Sequence, residues 1–168
     1  LLYGAFGALV GSQLNRAIDA QGSHVDARGQ VRDWWSPADR DAWTALGNRV
    51  AAQYASQDYP GVKGARVDGA LVRNVALADQ AGLELAATAH AKAQPQASQA
   101  ARQALFEAWS RLWAQQVAAN TASERLKTDI HAPGPLRSNL PAANLPEFAA
   151  AFACKPGQPM TRAEADQV

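Results

Sequence analysis

Ala70-Leu-Val-Arg-Asn-Val-Ala-Leu-Ala-Asp-Gln-Ala-Gly-Leu-Glu-Leu-Ala-Ala-Thr-Ala-His-Ala-Lys-Ala93 decides the fold. Apolar and small residues recur every three or four positions, placing Leu71, Val75, Ala78, Gly82, Leu85 and Ala89 on one face of a helix. Pro95 ends the run, because a proline ring cannot sit inside a regular helix without losing a hydrogen bond. So long a helix needs other helices to cover it. Outward from it, the chain repeats the pattern. Upstream, Ser36-Pro-Ala-Asp39 is a helix start, with Ser36 as N-cap, Pro37 in the first turn and an acid behind it. Trp43, Leu46, Val50 and Tyr54 follow at helical spacing, and Asp58-Tyr-Pro-Gly61 stops them. Residues 3–19 read as a further helix, with Gly22 at its C′ position. Downstream, Ser98 opens a helix to about residue 119, and residues 123–128 form one further turn. The four prolines between 131 and 146 predict a loop, and 147–153 a short helix. Between the first two helices, Asp26-Ala-Arg-Gly29 carries turn chemistry and leaves room for one short hairpin in 22–33. The fold class is mainly α, in one domain over 1–168.

Composition sets the outer limits. The 168 residues carry 16 Lys+Arg and 15 Asp+Glu, a formal net charge of +1. That balance argues against nucleic acid as a partner, which calls for a basic surplus. Hydrophobic residues make up 48% and charged residues 18%, the balance of a globular chain. No apolar run reaches the length of a membrane-spanning helix. The start, Leu1-Leu-Tyr-Gly-Ala-Phe-Gly-Ala-Leu-Val-Gly11, is apolar but lacks a basic segment and an initiator Met. It is therefore not expected to be a signal peptide, and it points to a processed chain, an excised domain or a fragment. Cys154 is the only cysteine, so no disulfide forms within the chain and no cysteine-based metal site exists.

The segments also resemble, in order, the C-terminal catalytic region of the neprilysin and endothelin-converting-enzyme family of zinc metallopeptidases. Tyr3-Gly-Ala-Phe-Gly-Ala-Leu-Val-Gly11 is similar to the lead-in to the family's zinc helix, and Asp19-Ala-Gln-Gly-Ser23 to that helix's end. Arg32-Asp-Trp-Trp-Ser-Pro-Ala-Asp39 resembles its Asp-Trp-Trp segment. Val67-Asp-Gly-Ala-Leu71 and Ala78-Asp-Gln-Ala-Gly-Leu83 flank its second motif. Phe106-Glu-Ala-Trp109 through Trp113 is similar to an aromatic helix. His131-Ala-Pro-Gly-Pro-Leu-Arg137, Asn144-Leu-Pro-Glu-Phe148 and Phe152-Ala-Cys-Lys-Pro-Gly157 resemble its closing motifs. The resemblance implies the helical C-terminal subdomain of a thermolysin-like, or gluzincin, peptidase. It also implies that the substrate-aligning strand and the N-terminal helical domain lie outside this chain, and that the protein works outside the cytoplasm: extracellular, periplasmic or membrane-anchored and facing outward. Cys154 matches a half-cystine whose partner lies outside the chain.

The metal site is where the resemblance fails. The family chemistry needs His-Glu-x-x-His, because residues at i and i+4 share a helix face and the Glu acts as general base. Here Ser12 stands at the first His, Gln13 at the Glu and Arg16 at the second His. The third ligand, a Glu four residues before the Asp matched by Asp79, is Val75. Ser and Val do not replace an imidazole and a carboxylate as zinc donors. Gln13 accepts no proton at neutral pH, and Arg16 repels a cation. The expectation is a catalytically inactive family member without zinc, in a structural, regulatory or peptide-interaction role. The alternative is the zinc endopeptidase of the family label.

Asp19, Asp79, His131 and Arg137 match retained family positions: Asp79 the carboxylate that orients a zinc ligand, His131 the donor to the reaction's oxyanion, Arg137 a support for substrate. Against that stands a plain reading of His131 and Arg137 as anchors for backbone carbonyls in a proline-rich turn. His24 reads as a loop residue, His90 as a helix-surface residue, and Trp34, Trp35, Trp43, Trp109 and Trp113 as core aromatics. Arg16 is expected to fill the vacated site and pair with Asp79, Asp19 or both. Partners are expected among the missing N-terminal part, a homologous subunit or a second copy, because the 3–19 helix is apolar on too many sides; a bound peptide stays open.

Overall fold

The computed structural model describes residues 2–162. Among these residues the chain is helical, with no sheet. A π-helical turn, Tyr3–Gly7, runs directly into α1 (Ala8–Arg16). The rest comprises α2 (Pro37–Ala55), α3 (Gly69–Ala93), α4 (Gln99–Leu112), α5 (Ala119–Thr128), α6 (Gly134–Ala143) and α7 (Pro146–Ala151).

The starts of these helices follow local chemistry. Ser36 caps α2 in a full capping box: its hydroxyl accepts from the Asp39 N–H, and the Asp39 carboxylate accepts from the Ser36 N–H. Asp68 and Ser98 cap α3 and α4 by accepting from Leu71 N and Ala101 N.

α3 is the axle of the molecule, in contact with α1, α2, α6 and the π turn. One cluster holds Val50, Tyr54, Val72, Ala76, Leu77 and Leu140; the other holds Ala8, Leu83, Ala86, Phe106, Trp109 and Leu145. α3 contributes to both. Its buried stripe runs through Val72, Val75, Ala76, Asp79, Leu83, Ala86 and His90, while Leu85 is half exposed. α1 crosses α3 where two glycines meet: a Cβ on Gly11 would lie 3.1 Å from the Gly82 Cα, and one on Gly82 would lie 2.7 Å from the Ser12 N. The absence of side chains is what lets these backbones touch.

Several expectations are corrected. The first helix ends at Arg16, not 19, because the Asp19 carboxylate accepts from the backbone N–H groups of Gln21 and Gly22 and folds the chain into a turn. Gly22 therefore opens a short 3₁₀ turn instead of closing a helix. The hairpin shrinks to a single antiparallel bridge, Val25 with Val31, around an Asp26-centred turn in which Gly29 takes φ +75°. α4 stops at Leu112, and the expected turn at 123–128 belongs to a full helix, α5. The largest miss is α6, which occupies the stretch read as loop. Pro135 lies in its first turn, where no N–H is needed, and only Pro141 falls inside, fully buried. His90 is 8% exposed and not on the surface; its ring meets the Tyr3 ring edge-on at 5.4 Å.

Of the tryptophans, Trp109 is core, and Trp43, Trp35 and Trp113 are partly buried. Trp34 is 41% exposed and works as a loop clamp, its indole N–H shared between the Gly22 and Val25 carbonyls. No helix among the described residues is long and apolar enough to cross a membrane.

Candidate functional site

The Gly11–Gly82 crossing joins the two helices that carry the residues singled out in the sequence: Ser12, Gln13 and Arg16 on α1, Val75 and Asp79 on α3. Ser12 is buried, and its hydroxyl donates to the Leu9 carbonyl at 2.9 Å. Gln13 is exposed and its amide N lies 3.5 Å from the Ser12 hydroxyl. Val75 is buried and brings no donor atom. Arg16 is half-buried. This donor set does not fit zinc: one hydroxyl already engaged, one alkyl group and one fixed cation. Among the described residues no three His, Cys, Asp or Glu side chains gather where they could hold a metal ion.

Asp79 is the buried charge of the site, 2% exposed. The Arg16 pair expected for it does not form. Arg137 takes the carboxylate in a two-pronged grip, Nε to Oδ2 at 2.7 Å and Nη2 to Oδ1 at 2.8 Å. The reach comes from α6: the helix unforeseen in the sequence points Arg137 back at α3. The guanidinium carbon also lies over the Trp113 ring, 3.6 Å from its centre, and Trp113 meets Trp109 edge-on at 5.0 Å. Trp109 in turn donates to the Ser138 carbonyl on α6. One stack of side chains thus fixes α3, α4 and α6 together. Burial pushes the Asp79 carboxyl above its usual range, while the hydrogen bonds and charge of Arg137, and then the charges of His131 and Arg16, pull the other way.

His131 anchors no carbonyl. Its backbone N–H donates to Asp129 Oδ1, and its Nδ1 lies 2.9 Å from the same oxygen, which leaves Nε2 directed away from the pair. Partial burial acts to raise the Asp129 carboxyl, but the His131 hydrogen bonds and the charges of His131 and Arg125 outweigh it and hold it below the ordinary range. His131, Arg125, Arg137, Trp113 and Gln115 face an open cleft of about 410 Å³. The sequence reading missed Asp129 and Arg125; the Asp-x-His spacing, which lets one carboxylate meet both the backbone and the ring two residues on, was the available signal.

Helices crossed at a glycine pair, a buried Asp–Arg grip and an Asp–His dyad at a cleft make up a helical subdomain whose fold is that of the thermolysin-like, or gluzincin, peptidases. The family model of Peptidase family M13 matches residues 1–168, and the chain belongs to that family. It is 29% identical over 161 residues to the neutral endopeptidase of Lactococcus lactis subsp. lactis (strain IL1403), covering 96% of this chain and 25% of that protein. It is 30% identical to neprilysin-1 of Caenorhabditis elegans, over 95% of this chain and 22% of that one. Among solved structures, PepO of Lactobacillus rhamnosis HN001 (DR20) superposes with a TM-score of 0.88 at 32% identity, over 99% of this chain and 25% of PepO. The zinc metalloprotease Zmp1 of Mycobacterium tuberculosis, in its open state, gives 0.91 at 26%, over 99% of this chain and 27% of Zmp1. The chain therefore spans about a quarter of the length of these relatives.

Proposed function

We propose that this chain is the inactive counterpart of an M13 peptidase domain. It keeps the scaffold, binds no zinc and hydrolyses no peptide, and it serves a structural or regulatory role on the outward side of the membrane. The identities of Ser12, Gln13, Arg16 and Val75 carry this reading, since none supplies the metal donor or proton acceptor that family chemistry requires. Its partner is the preceding part of such a peptidase, a homologous subunit or a second copy, and the apolar face of α1 is the surface that meets it. The Asp129–His131 dyad and the cleft it faces favour peptide contact as the regulatory form of that role.

Purification in zinc followed by atomic absorption and a fluorogenic-peptide assay tests the proposal. It expects far less than one zinc per chain and no cleavage that a chelator removes. One tightly held zinc with chelator-sensitive cleavage overturns it in favour of the active endopeptidase. Ser12→His, Gln13→Glu, Arg16→His and Val75→Glu combined should restore zinc binding, because both helices are held by the glycine crossing and not by a metal.

A further inference from the structure

The cleft at the Asp129–His131 dyad has one wall rich in hydrogen-bond donors. α5 brings Arg125 to it, the turn after α5 brings Asp129 and His131, and the segment after α4 brings Trp113 and Gln115. Leu112 and Val117 add apolar surface. At about 410 Å³ the cleft has the size of an ordinary ligand site.

The side-chain oxygens of this wall already face the protein's own donors. Asp129 Oδ1 accepts from the His131 N–H and lies 2.9 Å from its Nδ1, and Gln115 Oε1 lies 3.4 Å from Arg125 Nη1. The two arginines of the cleft are held differently. Arg137 has its charge matched by the Asp79 carboxylate at 2.7 and 2.8 Å. Arg125 has no comparable partner. Its Nε stands 4.0 Å from Asp129 Oδ2, beyond hydrogen-bond reach, its Nη2 has no partner among the described residues, and its side chain is 44% exposed. A guanidinium so loosely held keeps a planar fork for an incoming carboxylate. Trp113 supplies an independent observation. Its indole N–H is buried and has no acceptor among the described residues, a cost that an acceptor on a ligand relieves.

We infer, resting on the reading of this cleft as a peptide contact, that it selects an acidic side chain, with Arg125 as the residue that determines the specificity. Arg125 takes the side-chain carboxylate of a Glu or Asp on the peptide in a two-pronged grip. Leu112 and Val117 cover apolar neighbours of that acid, and a peptide carbonyl supplies the acceptor that the Trp113 N–H lacks. Charge rejects the converse. A basic side chain at the same wall meets Arg125 and finds the Asp129 and Gln115 oxygens engaged. The cleft is open, so a peptide runs across it and presents the acid as a side chain and not as a chain terminus.

Titration of the full chain with Ac-Ala-Leu-Glu-Leu-Ala-NH₂, followed by the Trp113 indole resonance in ¹H–¹⁵N NMR, tests it. The resonance should shift saturably, and the same peptide with Gln in place of Glu should bind about tenfold more weakly. Arg125→Gln should bring the Glu peptide down to the affinity of the Gln peptide. Lys127→Gln, an equal loss of charge at an exposed α5 position that does not line the cleft, should keep the preference. Equal affinity for the two peptides, or the same loss in both variants, overturns the acidic selectivity and leaves peptide contact standing. A Gln peptide with a free C-terminal carboxylate that binds as tightly as the Glu peptide overturns the side-chain assignment. If neither peptide shifts Trp113 at millimolar concentration, peptide contact at the cleft falls as well.

Discussion

Arg137 shows how one side chain holds the site together. It neutralises a carboxylate that is 2% exposed, and its own side chain is 17% exposed. Removing one member of such a pair leaves a buried charge, which costs about 3–5 kcal/mol. Arg137→Ala should therefore lose about that much in urea unfolding at pH 7. Burial already raises the Asp79 carboxyl, and without Arg137 it rises further. A carboxyl whose folded value exceeds its unfolded value favours the fold below the unfolded value, and that advantage is lost as pH rises through the folded one. The penalty of Arg137→Ala should accordingly shrink between pH 7 and pH 4, and a penalty that grows on acidification contradicts this account. The sequence exposed the separate parts of this arrangement but not the pairing. Asp79 and Arg137 stood out by position, yet which cation would reach Asp79 depended on α6. Arg16 was the cation expected from α1, but Arg137 arrives from α6 with both prongs of its fork on the carboxylate and an aromatic ring beneath it.

Helices α2, α3 and α4 were legible because their caps and apolar periods agree. α6 was not, because prolines dominate its sequence, and the sterics that exclude proline from helix interiors do not act in the first turn. The fully buried Pro141 is tolerated within a tightly covered helix, a tertiary effect with no local signature. Glycines 11 and 82 likewise looked like ordinary small residues on their helices. Their meeting is a property of two elements at once. Gly82→Ala would drive a methyl into the Ala8 carbonyl and to within 2.9 Å of the Ser12 Cβ. Overpacking of this kind costs about 1–3 kcal/mol, and the backbone must shift as well, so the upper end is expected in thermal or urea unfolding. Serine at 82 should behave like alanine. A neutral Gly82→Ala would mean that the helices do not touch there.

At the scale of the whole molecule, the start of the chain is its most apolar exposed surface. Leu2, Phe6, Leu14 and Ile18 are each more than half exposed along the π turn, α1 and the turn after it. Contiguous exposed apolar residues mark contact surfaces. The chain by itself should associate with rising concentration in light scattering. Leu14→Glu with Ile18→Glu should return it to 17.8 kDa particles, with a stability change within about 0.5 kcal/mol per site because both side chains already face outward. A monomer at all concentrations before substitution refutes that reading.

α3 also has a mechanical consequence. It supplies walls to both apolar clusters and carries the buried Val75, the gripped Asp79 and, fifteen residues beyond Val75, the buried His90 against Tyr3. A rod built into both halves leaves no seam along which they can swing apart. The two apolar clusters cannot swing apart by a hinge without bending or unwinding the rod itself. A signal passing between the two ends of this molecule must travel as a small slide or twist of one stiff shaft, felt at both ends together.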